Sequence, residues 1–149
     1  MNFLGLLVME NKLKPETTGA IKQLQLCNIK TIMATGDNVL TGISVARQCS
    51  ILDTRREVWL GELESKLGNP VIVWKSTDKF KEVVSGRLPW RYNDESIEVA
   101  LTGKAFNHIM HENNKFIANS VLAKAKVYAR MGPDDKACLV ENLQNMLQE

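Results

Sequence analysis

The first fifty residues alternate between apolar runs and helical patterns, and this alternation limits the folds open to the chain. Residues 3–9 form a continuous apolar run, which is typical of a strand buried on both faces. Residues 30–35 predict a second strand, and residues 38–49 predict a helix capped by Asn38. Between the strands, Pro15 suits the first turn of a helix whose apolar inner stripe comprises Ala20, Ile21, Leu24 and Cys27. This order predicts a right-handed βαβ unit, and therefore a parallel sheet in an α/β fold.

The chain divides into three segments. Residues 1–52 carry the βαβ pattern, and residues 96–149 resume it with strands at 97–102 and 126–130. One or two helices are expected between those strands, and a last helix begins at residues 132–135. Residues 53–95 contain more glycine and proline breaks, which predicts an inserted, partly irregular segment with one or two short strands. This segment holds all three tryptophans, and we expect them to cover the domain rather than stack on a ligand; they are Trp59, Trp74 and Trp90.

Composition excludes several classes of protein. The 149 residues include 19 basic and 17 acidic side chains that are scattered along the chain, whereas nucleic-acid binding needs a clustered basic face. The three cysteines include no Cys-x-x-Cys pair, which predicts neither disulfides nor a zinc site and fits a reducing compartment. His108 and His111 lack a third metal ligand. Since the run at residues 3–9 is too short to cross a bilayer, we expect a segment that does not insert into a membrane.

The stretch from Thr35 to Asn38 follows the second predicted strand. At the carboxyl end of a parallel strand, side chains and amides face the crevice where open α/β sheets bind ligands. Thr35 can donate a hydroxyl to a phosphoryl oxygen, Gly36 allows close backbone approach, and the next helix N-terminus favours an anion. Asp37 can instead cap that helix, in which case the stretch is an ordinary turn.

Two further stretches carry basic residues near predicted helix starts. Residues 129–136 end a strand at Arg130 and begin a helix, with Lys136 in its first turn. A cation is disfavoured there by the helix dipole, so either a bound anion or a pair with Asp134 or Asp135 explains Lys136. Residues 11–15 join the first strand to the first helix, and Lys14 within them reaches a nucleotide or is simply solvated.

The order of these motifs resembles one family. Asn-Lys-Leu-Lys-Pro at residues 11–15, Thr-Gly-Asp-Asn at 35–38 and Ala-Arg-Met-x-Pro-Asp-x-Lys at 129–136 resemble the phosphorylation domain of P-type ATPases, within the haloacid-dehalogenase superfamily. Glu-Asn-Lys-Leu-Lys-Pro, Ser-Val-Ala-Arg and Ala-Leu-Thr-Gly-Lys look most like the type-V subfamily of polyamine transporters. The resemblance covers residues 3–51 and 97–145, whereas the segment between them matches poorly.

The resemblance implies a role for each residue of the motifs. Thr35 and Gly36 would contact the phosphoryl group, and Asp37 would lie beside the phosphate and its Mg²⁺. Lys136 would neutralise the phosphoryl oxygens, while Arg130 and Lys14 would border the ATP. No residue of this chain is assigned as a metal ligand.

The departures from the family pattern matter equally. Asp-Lys-Thr-Gly-Thr, which carries the phosphorylated aspartate, does not occur here, and neither does Gly-Asp-Gly-x-Asn-Asp. We therefore expect an incomplete Rossmann-like parallel sheet of the haloacid-dehalogenase type that lacks the nucleophile strand and the Gly-Asp-Gly strand. The expected function is part of an ATP-hydrolysing pump for polyamines or cations, inactive alone and completed by further domains and transmembrane helices. The pump would lie in a late-endosomal or lysosomal membrane, with this segment on the cytosolic side. The alternative is a truncated, non-catalytic domain that binds a nucleotide or a partner.

Overall fold

Strands and helices alternate through the part of the chain that the structure describes. The structure is a computed structural model, and it describes residues 4–5, 7, 12–78, 82–84, 88–90, 94–112 and 114–146. The elements in chain order are α1 (Thr17–Leu26), β1 (Met33–Ala34), α2 (Val39–Gln48), β2 (Glu57–Lys66), β3 (Asn69–Ser76), β4 (Glu82–Val84), β5 (Ile97–Thr102), α3 (Gly103–His111), α4 (Lys115–Lys124), β6 (Ala125–Ala129) and α5 (Pro133–Met146). No helix within these ranges has both the length and the apolar character that a bilayer crossing requires.

The strands form one mixed sheet in the order β1-β6-β5-β2-β3-β4. The four strands from β1 to β2 are parallel to their neighbours, and β3 and β4 continue the sheet in antiparallel pairs. Tyr128 in β6 is paired with Ala34 on one side and Leu101 on the other, so β6 is a central strand. The predicted α/β fold is confirmed, and the sheet is consistent with an incomplete Rossmann-like fold.

The expectation of one or two short strands in residues 53–95 is wrong. Two of the three strands there are long, and β2 and β3 form a hairpin whose ladder begins at the pair Lys66 and Asn69. Leu67 and Gly68 form the two-residue loop, with φ of 52° and 82°, as the type I′ turns of tight hairpins require. The glycine and proline in this stretch indicated a break, whereas Pro70 lies near the start of a strand, where proline is tolerated. The division of the chain into three segments stays a prediction.

The predicted inner stripe of α1 is confirmed only at Ile21, which is partly buried and packs against the core. None of its residues is buried, and Leu24 keeps 42% of its surface exposed. The reason is that β1 contributes only two residues at the edge of the described sheet, so little sheet surface lies beneath α1. The preceding strand predicted at residues 3–9 falls mostly outside the described residues.

Helices cover both faces of the sheet, because side chains alternate along each strand. On one face, Val127 and Ala129 of β6 pack in a cluster with Ile43 of α2. On the other, Tyr128 packs with Phe106 of α3 and Leu139 of α5. The three tryptophans belong to the second cluster, in which the rings of Trp74 and Trp90 meet edge to face at 4.9 Å. They serve packing, as the sequence predicted.

The buried hydroxyl of Tyr128 gives the first prediction. It has no hydrogen-bond partner among the described residues, and burial raises the pKa of this phenol. Since an unpaired buried hydroxyl keeps its desolvation cost, we expect Tyr128→Phe to raise the free energy of unfolding by about 1 kcal/mol. Chemical denaturation of the 149-residue chain measures this change.

The control is another buried hydroxyl, which does have a partner. Thr102 caps α3 by accepting a hydrogen bond from the amide of Ala105 at 3.4 Å, so Thr102→Val should lower stability by about 1 kcal/mol. A destabilising Tyr128→Phe would contradict the prediction.

Candidate functional site

Three strand-to-helix junctions lie side by side at the carboxyl edge of the parallel strands. β1, β6 and β5 are adjacent, and they lead into α2, α5 and α3. Three helix N-termini therefore begin at one edge of the sheet. Such an arrangement concentrates backbone amides and the positive ends of helix dipoles, both of which favour an anion.

The turn after β1 is held by its own side chains. The hydroxyl of Thr35 donates to the carboxylate of Asp37 at 2.8 Å and accepts from the Asp37 amide at 3.1 Å. Asn38, whose side chain accepts from the Leu40 amide at 2.9 Å, is the residue that caps α2. Asp37 is therefore not required as a helix cap, and its exposed carboxylate remains at the mouth of the junction.

Backbone hydrogen bonds join the turn after β1 to the turn after β6. The Arg130 amide donates to the Asp37 carbonyl at 3.0 Å, and the Met131 amide donates to the Thr35 carbonyl at 2.9 Å. Arg130 takes a left-handed conformation, with φ of 54°, which is costly for a residue other than glycine. The structure thus brings together Thr35, Asp37 and Arg130, which the sequence motifs singled out separately.

Asp135 fixes the turn after β6, and sequence reasoning assigned it only as a possible partner of Lys136. Its carboxylate accepts from the Gly132 amide at 2.8 Å and from the Asn107 side chain at 2.7 Å. These two bonds, with Asn107 first, lower the pKa of Asp135. In a capping box, an acidic residue lies three positions after the residue that precedes the helix. The sequence Gly-Pro-Asp-Asp at residues 132–135 contains this signal.

Gly103 allows the third junction to approach the other two. A Cβ atom at this position would lie 2.7 Å from the Arg130 carbonyl oxygen and 3.1 Å from the Asp135 carboxylate. Any side chain would force the backbone after β6 to move. Sequence reasoning did not identify this role of Gly103, because the role depends on contact between two segments that are far apart in the chain.

Of the two lysines that the sequence predicted at the site, Lys136 lies at one of the three junctions and Lys14 does not. Lys136 lies in the first turn of α5, is exposed, and pairs with neither Asp134 nor Asp135 within the described residues. The ion-pair explanation for its position therefore does not hold. Lys14 is exposed just before α1, where its carbonyl accepts from the Thr17 amide at 3.1 Å; its side chain has no hydrogen bond to the described junction residues.

Metal-ligating side chains do not cluster in the described ranges. No group of three or more His, Cys, Asp or Glu residues there is arranged to hold a metal ion. The His108 side chain lies 3.0 Å from the carboxylate of Glu112, the residue that follows α3, and His111 is exposed.

Comparison with known proteins assigns the chain to the P-type cation-transporting ATPases, in which it corresponds to one segment of much longer proteins. It is 34% identical over 98% of its length to the vacuolar cation-transporting ATPase YPK9 of Saccharomyces cerevisiae. It is 36% identical to the polyamine-transporting ATPase 13A3 of Mus musculus and 32% identical to the probable cation-transporting ATPase catp-6 of Caenorhabditis elegans, each over 98% of the chain.

The chain spans only a small part of these relatives, namely 11%, 13% and 15% of their lengths. No protein-family model matches it.

The bonds of Asp135 give the second prediction. We expect Asp135→Asn to lower the free energy of unfolding by about 1 kcal/mol near neutral pH, because an amide accepts on one oxygen only. The folded-state pKa of Asp135 lies below its unfolded value, so its contribution is present above about pH 4 and is lost as pH falls below that value. Denaturation midpoints between neutral and acidic pH should fall less steeply in the variant.

The matched control is Asp134→Asn. Asp134 is exposed and has no side-chain partner among the described residues. Equal losses of stability in the two variants would contradict the capping role of Asp135.

Proposed function

We propose that this chain is part of the phosphorylation domain of a P-type transport ATPase, and that residues 35–38 and 130–136 form one wall of its phosphoryl-transfer site. The observation that carries the proposal is the pair of backbone hydrogen bonds joining these turns at the carboxyl ends of β1 and β6. Open α/β sheets bind ligands at this end of their strands. The relatives are transport ATPases by name, which supports an ATP-driven reaction.

A phosphoryl group fits this wall for three reasons. Among the described atoms, a Cβ on Gly36 would meet only the Met131 carbonyl oxygen, at 3.8 Å, so a ligand can come close to the Gly36 backbone. The N-termini of α2 and α5 are at this edge and favour negative charge. Lys136 adds an exposed ammonium group that no carboxylate of the described chain neutralises.

Each residue of the wall has a defined task in this proposal. Thr35 turns its hydroxyl from Asp37 to a phosphoryl oxygen, and Lys136 neutralises negative charge on the phosphoryl oxygens. Asp37 lies beside the phosphate and its Mg²⁺ and orients groups in the site, and Mg²⁺ would take its ligands from phosphate oxygens, water and carboxylates outside this segment. Arg130 and Lys14 border the nucleotide. ATP, when bound, supplies the phosphoryl group to an aspartate that these 149 residues do not include.

The whole protein would couple this reaction to transport. The relatives' names, vacuolar cation-transporting and polyamine-transporting ATPase, support polyamines or other cations as the cargo. We infer that the remaining domains and transmembrane helices are the partners of this segment. It would work on the cytosolic side of a late-endosomal or lysosomal membrane.

The missing nucleophile gives the third prediction. The chain contains no Asp-Lys-Thr-Gly-Thr, so incubation of the 149 residues with labelled ATP and Mg²⁺ should yield no acid-stable phosphoenzyme. The full-length mouse polyamine-transporting ATPase 13A3 serves as the positive control. An acid-stable, hydroxylamine-sensitive label on this chain would contradict the proposal. If the chain binds ATP without being labelled, the isolated segment is a non-catalytic nucleotide-binding domain.

The charge of Lys136 gives the fourth prediction. The matching segment of the mouse ATPase is replaced by this chain, and phosphoenzyme formation is measured for that chimaera and its variants. We expect Lys136→Ala to slow phosphorylation by about 100-fold, the usual cost of removing one electrostatic donor from a transition state.

Lys115→Ala is the matched control, because Lys115 is also exposed in the first turn of a helix but lies outside the three junctions. The proposal fails if the two lysine variants of the chimaera are phosphorylated at the same rate.

A further inference from the structure

A cavity of about 720 Å³ lies at the end of the parallel strands opposite to the junctions. Thr31 just before β1, Glu98 at the start of β5 and Lys126 at the start of β6 line its floor, and α1 and α2 supply its walls. Small-molecule sites in proteins have volumes of about 300–1,000 Å³. The cavity is thus large enough for a compact ligand, and it is separate from the phosphoryl site.

Cations predominate in the lining of this cavity. It contains six cationic side chains, Lys22, Lys30, Arg47, Arg55, Arg56 and Lys126, against two carboxylates. The scattered basic residues of the sequence therefore converge here, because α1, β1, α2, β2 and β6 bring distant parts of the chain together.

Most of these cations already have a carboxylate partner. The buried Glu98 lies 3.0 Å from Lys126 and 3.7 Å from Arg56. Asp53 pairs with Arg55 at 3.0 Å, and this guanidinium lowers the pKa of Asp53 to about 2. These pairs are internal to the cavity wall and leave its remaining charge positive.

Arg47 is paired as well, with Asp78 at 3.1 Å. Two lysines remain without an ion pair among the described residues. Lys22 is exposed on α1 and makes no ion pair there. Lys30 donates to the carbonyl oxygens of Leu122 and Ala123, which orient its ammonium group but do not neutralise it.

The charge of Lys126 repels the ammonium group of Lys30. Burial lowers the pKa of Lys30 to about 8, and the nearby charge of Lys126 lowers it further, against the attraction of Glu98. An anion in the cavity would relieve this repulsion.

We propose that this cavity binds a small phosphate-bearing anion with at least two negative charges. The two lysines without an ion pair match two such charges. The guanidinium groups of Arg55 and Arg56 carry more N–H donors than their carboxylate partners occupy, and planar donors suit phosphate oxygens. The walls come from several elements around an open depression of about 720 Å³, a size that suits a small phosphate ester or diphosphate.

Titration calorimetry of the 149-residue chain with pyrophosphate and with ADP tests the site. Measurements are made near pH 7, without Mg²⁺ and at an ionic strength of about 0.01 M, where charges are weakly screened. The Lys136→Gln background removes the cation of the first site, so that failure of the proposed function leaves this test intact. We expect one binding event, which Lys22→Gln with Lys30→Gln weakens by about tenfold or more, since two charge contacts are lost.

Thr54→Glu is the second variant, because it adds a negative charge at an exposed lining residue that makes no hydrogen bond within the described residues. It should weaken binding similarly, and circular dichroism verifies that each variant is folded. Lys66→Gln with Lys115→Gln is the matched control, which makes the same charge change outside the cavity and should leave affinity unchanged.

If ADP binds more tightly than pyrophosphate, the cavity also recognises an organic group on the ligand. If the two bind equally, the cavity recognises the phosphates alone. Equal weakening by the cavity pair and the control pair, or no binding of either probe, would overturn the proposal.

Discussion

The pairing of β1 with β6 is the constraint on which the site depends. Only Met33 and Ala34 form this ladder, opposite Val127 and Tyr128. Hydrogen bonds from the backbone of Thr35, Arg130 and Met131 extend it into the turns that follow. Without this short contact, the two motifs would be separate strand ends. With it, a hydroxyl, a carboxylate and an arginine come together in front of two helix N-termini.

The features that could be predicted from the sequence are those that local residue patterns determine. The alternation of strands and helices, the cap at Asn38 and the position of Thr35 and Arg130 at strand ends could be identified from spacing and turn chemistry. Those features depend on neighbours within a few residues, and hydrophobic periodicity reports them directly.

Features that depend on tertiary neighbours could not be predicted in this way. The two-residue loop at Leu67 and Gly68 contains leucine in a left-handed conformation, which no turn preference indicates. The apolar pattern of α1 predicted burial, yet burial also requires a surface to pack against. The need for glycine at position 103 arises from the Arg130 carbonyl, which belongs to another junction.

The two ends of the sheet collect cationic side chains for different physical reasons. At the carboxyl end, helix N-termini supply partial positive charge and Lys136 adds one full charge. At the opposite end, helices finish rather than begin, so their dipoles favour cations there; Lys30 at the last carbonyls of α4 is an example. That effect accounts for Lys30 being held in place, but it leaves Lys22 unexplained, since its side chain lies within α1 and not at its end.

The strained backbone at Arg130 is held by the contacts between the junctions. A left-handed residue other than glycine costs on the order of 1 kcal/mol, and it persists only where its surroundings fix it. Here the Asp37 carbonyl holds the Arg130 amide, while the close approach of Gly103 confines the Arg130 carbonyl. Asp135 then anchors Gly132, so the turn is fixed on both sides of the strained residue. A turn fixed before any ligand arrives places its charged groups without further reorganisation, and such preorganisation is the property that stabilises charge in a transition state.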